Sequence, residues 1–402
     1  MISRILRYLI YTTITFSIWL NDLNHKTQVL ASSENKRKLS AHKYPSLEMT
    51  SSQNILKSKN WGLSGIHLIR SKNISHEKKN VVVAVIDTGI DYTHRSLSQA
   101  IWTNPGEMGL DENGLDKSSN GVDDDMNGYI DDIRGWNFVK NNNNISDNHG
   151  HGTHISGIIA AHNDLSGNPI GISPKTKVMV LKYFDPFDPG ISNLDNTIKA
   201  IDYAIDMGAD IINYSSGGLQ PSQKEREAIK RASDKGILFI SAAGNEKSNL
   251  DVQGYYPADY GLPNIISVTA IDKNSKVLDS SNFGMNKVDI AAPGNEIWST
   301  LPHGGFGEMT GTSQATGFVS GLAALLLHMG FPRKNFHQLK RHLILTGQEE
   351  PNLKNKTIYR VKLNAERALM MRGIESAFND EPFETSIMNS TLQETPLVEI
   401  DL

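Results

Sequence analysis

The sequence predicts an α/β fold of three layers, with a mainly parallel central sheet and helices on both of its faces. Short, unbroken β-branched runs recur along the chain, as expected of strands buried on both sides. Stretches with a helical apolar stripe lie between several of them, and strand alternating with helix is the pattern of a parallel sheet.

Val81–Ile86 is the first run, and similar runs follow at Val178–Leu181, Ile211–Ile212, Ile237–Ile240 and Ile265–Val268. In Leu194–Gly208, the side chains of Leu194, Ile198, Ile201 and Ile205 share one helical face, and Gly208 supplies a C-cap. A second helix over Ser222–Gly236 opens on a capping box of Ser222 and Glu225, turns Ile229 and Ala232 inward and ends at Gly236. These elements read as one α/β domain over 61–370, with its site expected beyond the C-terminal ends of the strands.

Composition narrows the class. Hydrophobic content of 38% and charged content of 21% are those of a soluble globular protein, and a net charge of −4 offers no basic excess for a nucleic-acid partner. Cysteine is absent, which excludes disulfides, thiolate nucleophiles and cysteine-ligated zinc together.

Three segments lie outside the domain's core pattern. Arg4 and Arg7 precede an apolar run, Tyr8–Leu20, that breaks at Asn21-Asp22 and leads to small-residue cleavage chemistry at Val29-Leu30-Ala31. Residues 1–31 therefore read as a secretory signal peptide, and a secreted, extracytoplasmic location follows. An uncleaved membrane anchor or a plain N-terminal helix are the other readings, the run being short of the ~20 residues that span a bilayer. Residues 32–60 form a polar pro-segment or linker, and 373–402 an acidic flexible tail with seven acidic residues and no basic one. The stretch 106–148, rich in Asp, Asn and Gly, reads as a long surface insertion.

Three short segments put a reactive side chain beside glycines at an element end. Asp87-Thr88-Gly89 follows the first strand, where a carboxylate can orient an imidazole; aspartic proteases use the same tripeptide, but in paired copies. His151-Gly152-Thr153-His154 opens a small-residue helix. His151 there is a general base, a polar residue of the helix N-terminus, or a metal ligand with His154, although no HExxH is present. Gly311–Gly317 leads into the apolar helix Phe318–Leu327, so the Ser313 amide and the helix dipole face any negative charge that develops beside it; serine is also a common N-cap. A serine hydroxyl needs a base, and the base needs a third group to fix its tautomer; the three segments supply one of each.

With these blocks the sequence resembles the subtilisin-like (subtilase) family of serine peptidases. The resemblance runs from about Trp61 to Leu369 and includes Asn213-Tyr214-Ser215-Ser216-Gly217-Gly218, Ala242-Ala243-Gly244-Asn245 and Ala291-Ala292-Pro293-Gly294. It implies a subtilisin-like fold and an endopeptidase acting through an acyl-enzyme on Ser313, with His151 as general base and acid and Asp87 orienting it. By the same resemblance Asn245 donates to the tetrahedral oxyanion. Independently, it follows a buried strand and a glycine, which lets its amide project into the site; a turn asparagine is the plainer reading. Ser215, Ser216 and Gly217 would form an exposed strand edge that pairs with extended protein or peptide substrates, Gly217 leaving room for a substrate side chain.

Departures from the family pattern are equally readable. Gln314 replaces the usual methionine after the nucleophile and cannot form a sulfoxide. Gly317 replaces a proline and loosens the first helical turn by about 1 kcal/mol or less. The segment 32–60 is too short for the folding pro-domain of many relatives.

Within the insertion, Asp123, Asp125, Asn127, the Tyr129 carbonyl and Asp131 or Asp132 fall at the spacing of a calcium loop, while Arg134 at the twelfth position excludes a strict EF-hand. A structural calcium site, as in many relatives with Asp-rich insertions, is expected; the alternative is a solvated acidic loop. Two other functions keep the same residues in view: a maturation peptidase dedicated to one precursor, and a secreted pseudoprotease acting as a binding module.

Overall fold

The structure, a computed structural model, describes residues 60–68, 80–163, 170–188 and 193–371. The signal segment 1–31, the linker but for its last residue, and the tail 373–402 lie outside the described residues.

The strands are β1 (Val82–Asp87), β2 (Gly135–Asn137), β3 (Lys177–Lys182), β4 (Ile211–Tyr214), β5 (Leu238–Ala242), β6 (Ile265–Ile271), β7 (Ile290–Pro293), β8 (Ile297–Leu301), β9 (Gly305–Met309), β10 (Gln348–Glu349) and β11 (Val361–Lys362). Nine of them form one sheet in the order β10-β11-β7-β6-β5-β4-β1-β3-β2, parallel except for the terminal β10–β11 pair, while β8 and β9 make a separate hairpin. The helices are α1 (Trp61–Gly65), α2 (His151–Ala160), α3 (Asn193–Asp206), α4 (Gln223–Asp234), α5 (Thr312–His328), α6 (Phe336–Leu345) and α7 (Ala365–Met370). Among the described residues no helix is long and apolar enough to cross a membrane.

Alternation along the buried strands builds the three layers. Val83 and Val85 of β1 pack in one core with Ile155, Ile158 and Ile159 of α2 and with Phe318, Leu322 and Leu326 of α5. Their neighbours Val82, Ala84 and Ile86 join the opposite core with Ala200, Ile201 and Ala204 of α3 and with Ala228, Ile229 and Ala232 of α4. All six residues of β1 are buried, so an unbroken apolar run is what two covered faces require. The strand sits between β3 and β4, so the chain winds away from it in both directions, and its C-terminal end is the switch point at which such sheets bind ligands.

The central helix, α5, is buried at every one of its 17 residues. Small residues let it sit against α2 and the loop that follows α2. A β-carbon at Gly317 would lie 3.3 Å from Ile158, and one at Gly321 would lie 2.9 Å from Ile172 and 3.4 Å from the Ile159 backbone. Gly317 thus serves helix–helix contact, beyond the looser first turn that its sequence position suggests.

Three local expectations are modified. The stretch 106–148 is not all surface: its second half contains β2, hydrogen-bonded to β3, and buries Trp136, Phe138 and Ile145. Leu194 is exposed at the start of α3, whose inward face is instead built from Thr197, Ala200, Ile201 and Ala204. At α4 only half of the capping box forms. Ser222 Oγ accepts from the Glu225 amide, but the Glu225 carboxylate takes the Tyr260 hydroxyl, and the Ser222 amide donates to that same hydroxyl. A half-buried phenol has been inserted into the box, because the Glu225 side chain is buried and needs a donor there.

The packing of α5 sets a test. Gly321→Leu drives a branched side chain into Ile172 and Ile159, and the urea-unfolding free energy is expected to fall by about 1–3 kcal/mol; an unchanged midpoint would contradict this helix contact.

Candidate active site

Asp87 closes β1 and is only 3% exposed. His151 is the first residue of α2, and its Nδ1 lies 2.7 Å and 3.0 Å from the two Asp87 carboxylate oxygens. The Thr88 amide also donates to Asp87 Oδ1 at 2.7 Å, so the carboxylate is held on its own chain as well as on the ring. Nδ1 faces the carboxylate, which leaves Nε2 as the working nitrogen. Burial disfavours a charged ring, yet the Asp87 carboxylate, by charge and by hydrogen bond, and the Asp147 charge together raise the His151 pKa above the ordinary imidazole value.

His154 is a different kind of histidine. It is wholly buried, its Nε2 lies 3.3 Å from the Gly307 carbonyl of β9, and burial pushes its pKa down to about 4. The two rings turn to different partners, which argues against a shared metal and leaves His151 as the only one of the pair placed for proton transfer.

Ser313 occupies the first turn of α5 and is 7% exposed. Its Oγ donates to the Ser215 carbonyl at 3.0 Å rather than to His151. Ser215 is buried beneath α5 rather than exposed: its Oγ donates to the Ser313 carbonyl and accepts from Asn213, which in turn holds Ser320, so that what it can offer an extended chain is its backbone carbonyl. Ser216 and Gly217 are half-buried, and Gly218 is paired with Tyr256 through two 2.8 Å backbone bonds.

Asn245 lies three residues beyond the end of β5, after Ala243 and Gly244, and is exposed. Its Oδ1 accepts from the Thr312 amide at 3.0 Å and from the Thr312 hydroxyl at 3.3 Å. With the oxygen so engaged, the amide nitrogen is left to donate outward. Gly244 adopts a φ of +102°, which favours glycine, and aims Asn245 across to α5.

Sequence reasoning missed the residues that hold these groups. Asp147 is a buried carboxylate that accepts from the Thr88 hydroxyl and the His149 and Gly150 amides on one oxygen, and from the Thr153 amide and hydroxyl on the other. Burial raises its pKa, but those donors outweigh burial and hold it below the usual carboxylate range. It caps α2 and ties the Asp87 strand to the His151 helix through Thr88, whose hydroxyl also accepts from the Gly152 amide. Asn282 does the same for the asparagine loop: it accepts from the Glu246 and Ser248 amides and donates to the Ala243 carbonyl and the Glu246 carboxylate. An acidic residue four positions before His151 was a usable signal for the first; nothing local marks Asn282.

The acidic insertion sorts its carboxylates. Oxygens of Glu107, Asp123 and Asp125 lie within 4.8 Å of one another, a separation that one calcium ion can bridge. Glu107 is fully buried; its Oε1 accepts from the Asp124 amide, while Oε2 has no partner. Burial, with the charges of Asp132, Asp125 and Asp124, pushes its pKa up to about 7. An orphaned, buried carboxylate oxygen among other carboxylates is an environment that a hard cation fits. Asn127 donates to Asp132 and accepts from the Tyr129 amide; Asp132 is buried under Asn104 and Tyr203; Asp131 accepts from the Gly121 amide; and the Tyr129 ring packs against Trp136 and Tyr203. Glu107 follows Pro105-Gly106, well upstream of the Asp cluster, so no spacing rule would have joined it to that loop.

A parallel sheet carrying a carboxylate, an imidazole and a helix-borne serine at its C-terminal edge defines a serine hydrolase site. The subtilase family profile matches residues 78–361, and the chain belongs to that family of serine peptidases, whose substrates are proteins or peptides. It is 34% identical over 250 residues to the major intracellular serine protease of Bacillus subtilis, covering 62% of this chain and 68% of that protein. It is also 34% identical over 248 residues to the thermophilic serine proteinase of a Bacillus species, covering 62% of this chain but 52% of that protein. Among solved structures, the prenylagaramide maturation protease PagA superposes with a TM-score of 0.53 at 26% identity, over 72% of this chain and 92% of that one.

The Asp147 charge is part of what raises the His151 pKa, so its removal has a defined sign. Asp147→Asn is expected to move the imidazole titration to lower pH, read from the His151 ring resonances by NMR. An unchanged midpoint would mean that Asp147 acts only as a cap.

Proposed function

We propose that the chain is an endopeptidase in which Ser313 is acylated, His151 shuttles the proton, Asp87 orients the ring, and the Ser313 amide and Asn245 Nδ2 hold the oxyanion. The single observation that carries this is the pairing of His151 Nδ1 with Asp87 at 2.7 Å while Asn245 is tethered through Thr312 to the helix that bears Ser313.

The cycle begins at the Ser215 carbonyl, which accepts the Ser313 hydroxyl in the free protein. An extended substrate pairing with Ser215–Gly217 brings its own N–H to that acceptor and releases the hydroxyl to turn toward His151 Nε2; such tightening on binding is common in catalytic hydrogen bonds. The Ser313 proton passes to Nε2 as Oγ bonds to the substrate carbonyl carbon, and the carbonyl electron pair moves to its oxygen. His151 then gives that proton to the departing amine as the C–N bond breaks, leaving the acyl-enzyme. Water repeats the sequence, its proton going to Nε2 and then to Ser313 Oγ as the acid leaves. The raised pKa of His151 makes the ring a stronger base, and the neutral form is populated as pH rises past it.

Two structural readings accompany this one. A calcium ion held by Glu107, Asp123 and Asp125 would offset part of the insertion's negative charge and tether it beside the sheet edge, supplying charge compensation rather than chemistry. Secretion rests on the charge and hydropathy order of residues 1–31. A narrower substrate range, a single precursor cut at one position, draws support from the likeness to a maturation protease. Incubation with a mixed peptide library separates the two ranges: cleavage of many sequences favours a general endopeptidase, and cleavage of none beside turnover of one precursor favours maturation.

A fluorophosphonate probe is expected to label the wild type and not Ser313→Ala; equal labelling of both would place the nucleophile elsewhere. Asn245→Ala is expected to lower kcat by about 10²–10³ with little change in KM, and a near-normal kcat would remove it from the oxyanion site. EDTA is expected to lower the melting temperature of the wild type, with Glu107→Gln already lowered and less responsive; an unchanged melting curve would dismiss the cation.

A further inference from the structure

The proposed catalytic arrangement fixes where the substrate residue preceding the cleaved bond must lie. Its carbonyl carbon meets Ser313 Oγ, its oxygen points between the Ser313 amide and Asn245, and its backbone runs beside Ser215–Gly217. Its side chain is therefore directed into the crevice between the segment leaving β4, which contains Gly217, and the segment leaving β5, which contains Gly244.

Both glycines look onto the same ring. A β-carbon at Gly217 would lie 2.5 Å from Tyr255 Cε1, and one at Gly244 would lie 2.9 Å from Tyr255 Cζ. One phenol thus touches both walls, and the space that two glycines open is already filled by Tyr255, itself 8% exposed. The ring is not free to leave cheaply. The next residue, Tyr256, is clamped to Gly218 by backbone bonds of 2.8 Å in each direction, and Tyr255 packs in a small core with Ala243, Leu250, Ala258 and Val288. The clamp joins Tyr255 to the same segment that would bind substrate, so ring and substrate backbone keep a fixed separation.

We infer that Tyr255 is the specificity-determining floor of the crevice, and that the enzyme cuts after small residues, alanine, serine and glycine, in preference to leucine or phenylalanine. This rests on the proposed catalytic arrangement, since only that arrangement aims the side chain between Gly217 and Gly244. The two glycines have a separate purpose on this account: with larger residues there the Tyr255 ring could not be seated at all. The Glu246 carboxylate also borders the crevice, 2.5 Å from where a β-carbon at Gly244 would stand, and it is held there by the Asn282 amide.

The test uses internally quenched peptides that differ only at the residue preceding the cleaved bond. For the wild type, kcat/KM with alanine is expected to exceed that with phenylalanine by at least about tenfold, the scale on which pocket size discriminates side chains. Tyr255→Gly is expected to raise kcat/KM for the phenylalanine peptide by at least about tenfold, while Tyr255→Phe keeps the wild-type preference because the ring, not the hydroxyl, fills the space. Fluorophosphonate labelling of Ser313 is followed in each variant. A wild type that favours phenylalanine or leucine overturns the inference even if Tyr255→Gly fails to fold. So does a Tyr255→Gly enzyme that labels normally yet gains nothing with large residues. Absence of Ser313 labelling in the wild type would instead refute the catalytic reading on which this inference stands.

Discussion

The complete burial of α5 is the constraint on which the rest depends. A helix with no exposed face must be enclosed by apolar partners on every side, and here the sheet face, α2, α6 and α7 supply them. Its first turn needs partners from outside the helix, because the N-terminal amides have none within it. The fold leaves that turn at the C-terminal edge of the sheet, where Thr312 and Ser313, both buried, meet the segments that follow β5 and β4. Thr312 is then the hinge between core and chemistry: its amide and hydroxyl hold the Asn245 oxygen, and its hydroxyl also accepts from the Gly244 amide. Ser215 and Asn245 are thereby both hydrogen-bonded to the first turn of the helix that carries Ser313.

The base is fixed by a second route that converges on the same edge. Asp87 is carried by a wholly buried strand and His151 by the helix packed on it, and Asp147 joins the two through Thr88. Two carboxylates acting on one imidazole would normally repel each other's charge, yet five donors on Asp147 make its ionised form inexpensive to bury. The arrangement resembles a pair of struts: one charge touches the ring, and the other holds the helix from which the ring projects. Charge and position are hard to separate at such a residue, since the same hydrogen bonds serve both.

The sheet, its helices and the segments that bring Asp87, His151 and Ser313 to element ends were legible in the sequence because each is local. An apolar run such as Val82–Ile86 declares a strand, and Asp, His and Ser beside glycines declare their own environments. What was not legible depends on residues distant in sequence. Asn282 braces the Asn245 loop from nearly forty positions away, Glu107 joins the Asp123 pair across the insertion, and Tyr255 reaches both Gly217 and Gly244. The capping box at Ser222 failed for the same reason, a tertiary contact from Tyr260 displacing a local bond. The insertion was harder still: an Asp- and Gly-rich stretch hid an edge strand because Gly135-Trp136-Asn137 is too short to show a period.

The central claim is that the free Ser313 hydroxyl rests on the Ser215 carbonyl and is handed to His151 when substrate takes that carbonyl. A crystal structure of the enzyme with a peptide aldehyde tests it most directly. The expected result is a hemiacetal on Ser313 with its oxygen between the Ser313 amide and Asn245 Nδ2, and an inhibitor N–H donating to the Ser215 carbonyl. An adduct on another residue, or one whose oxygen turns away from Asn245 while Ser215 stays bonded to Ser313, would contradict the account.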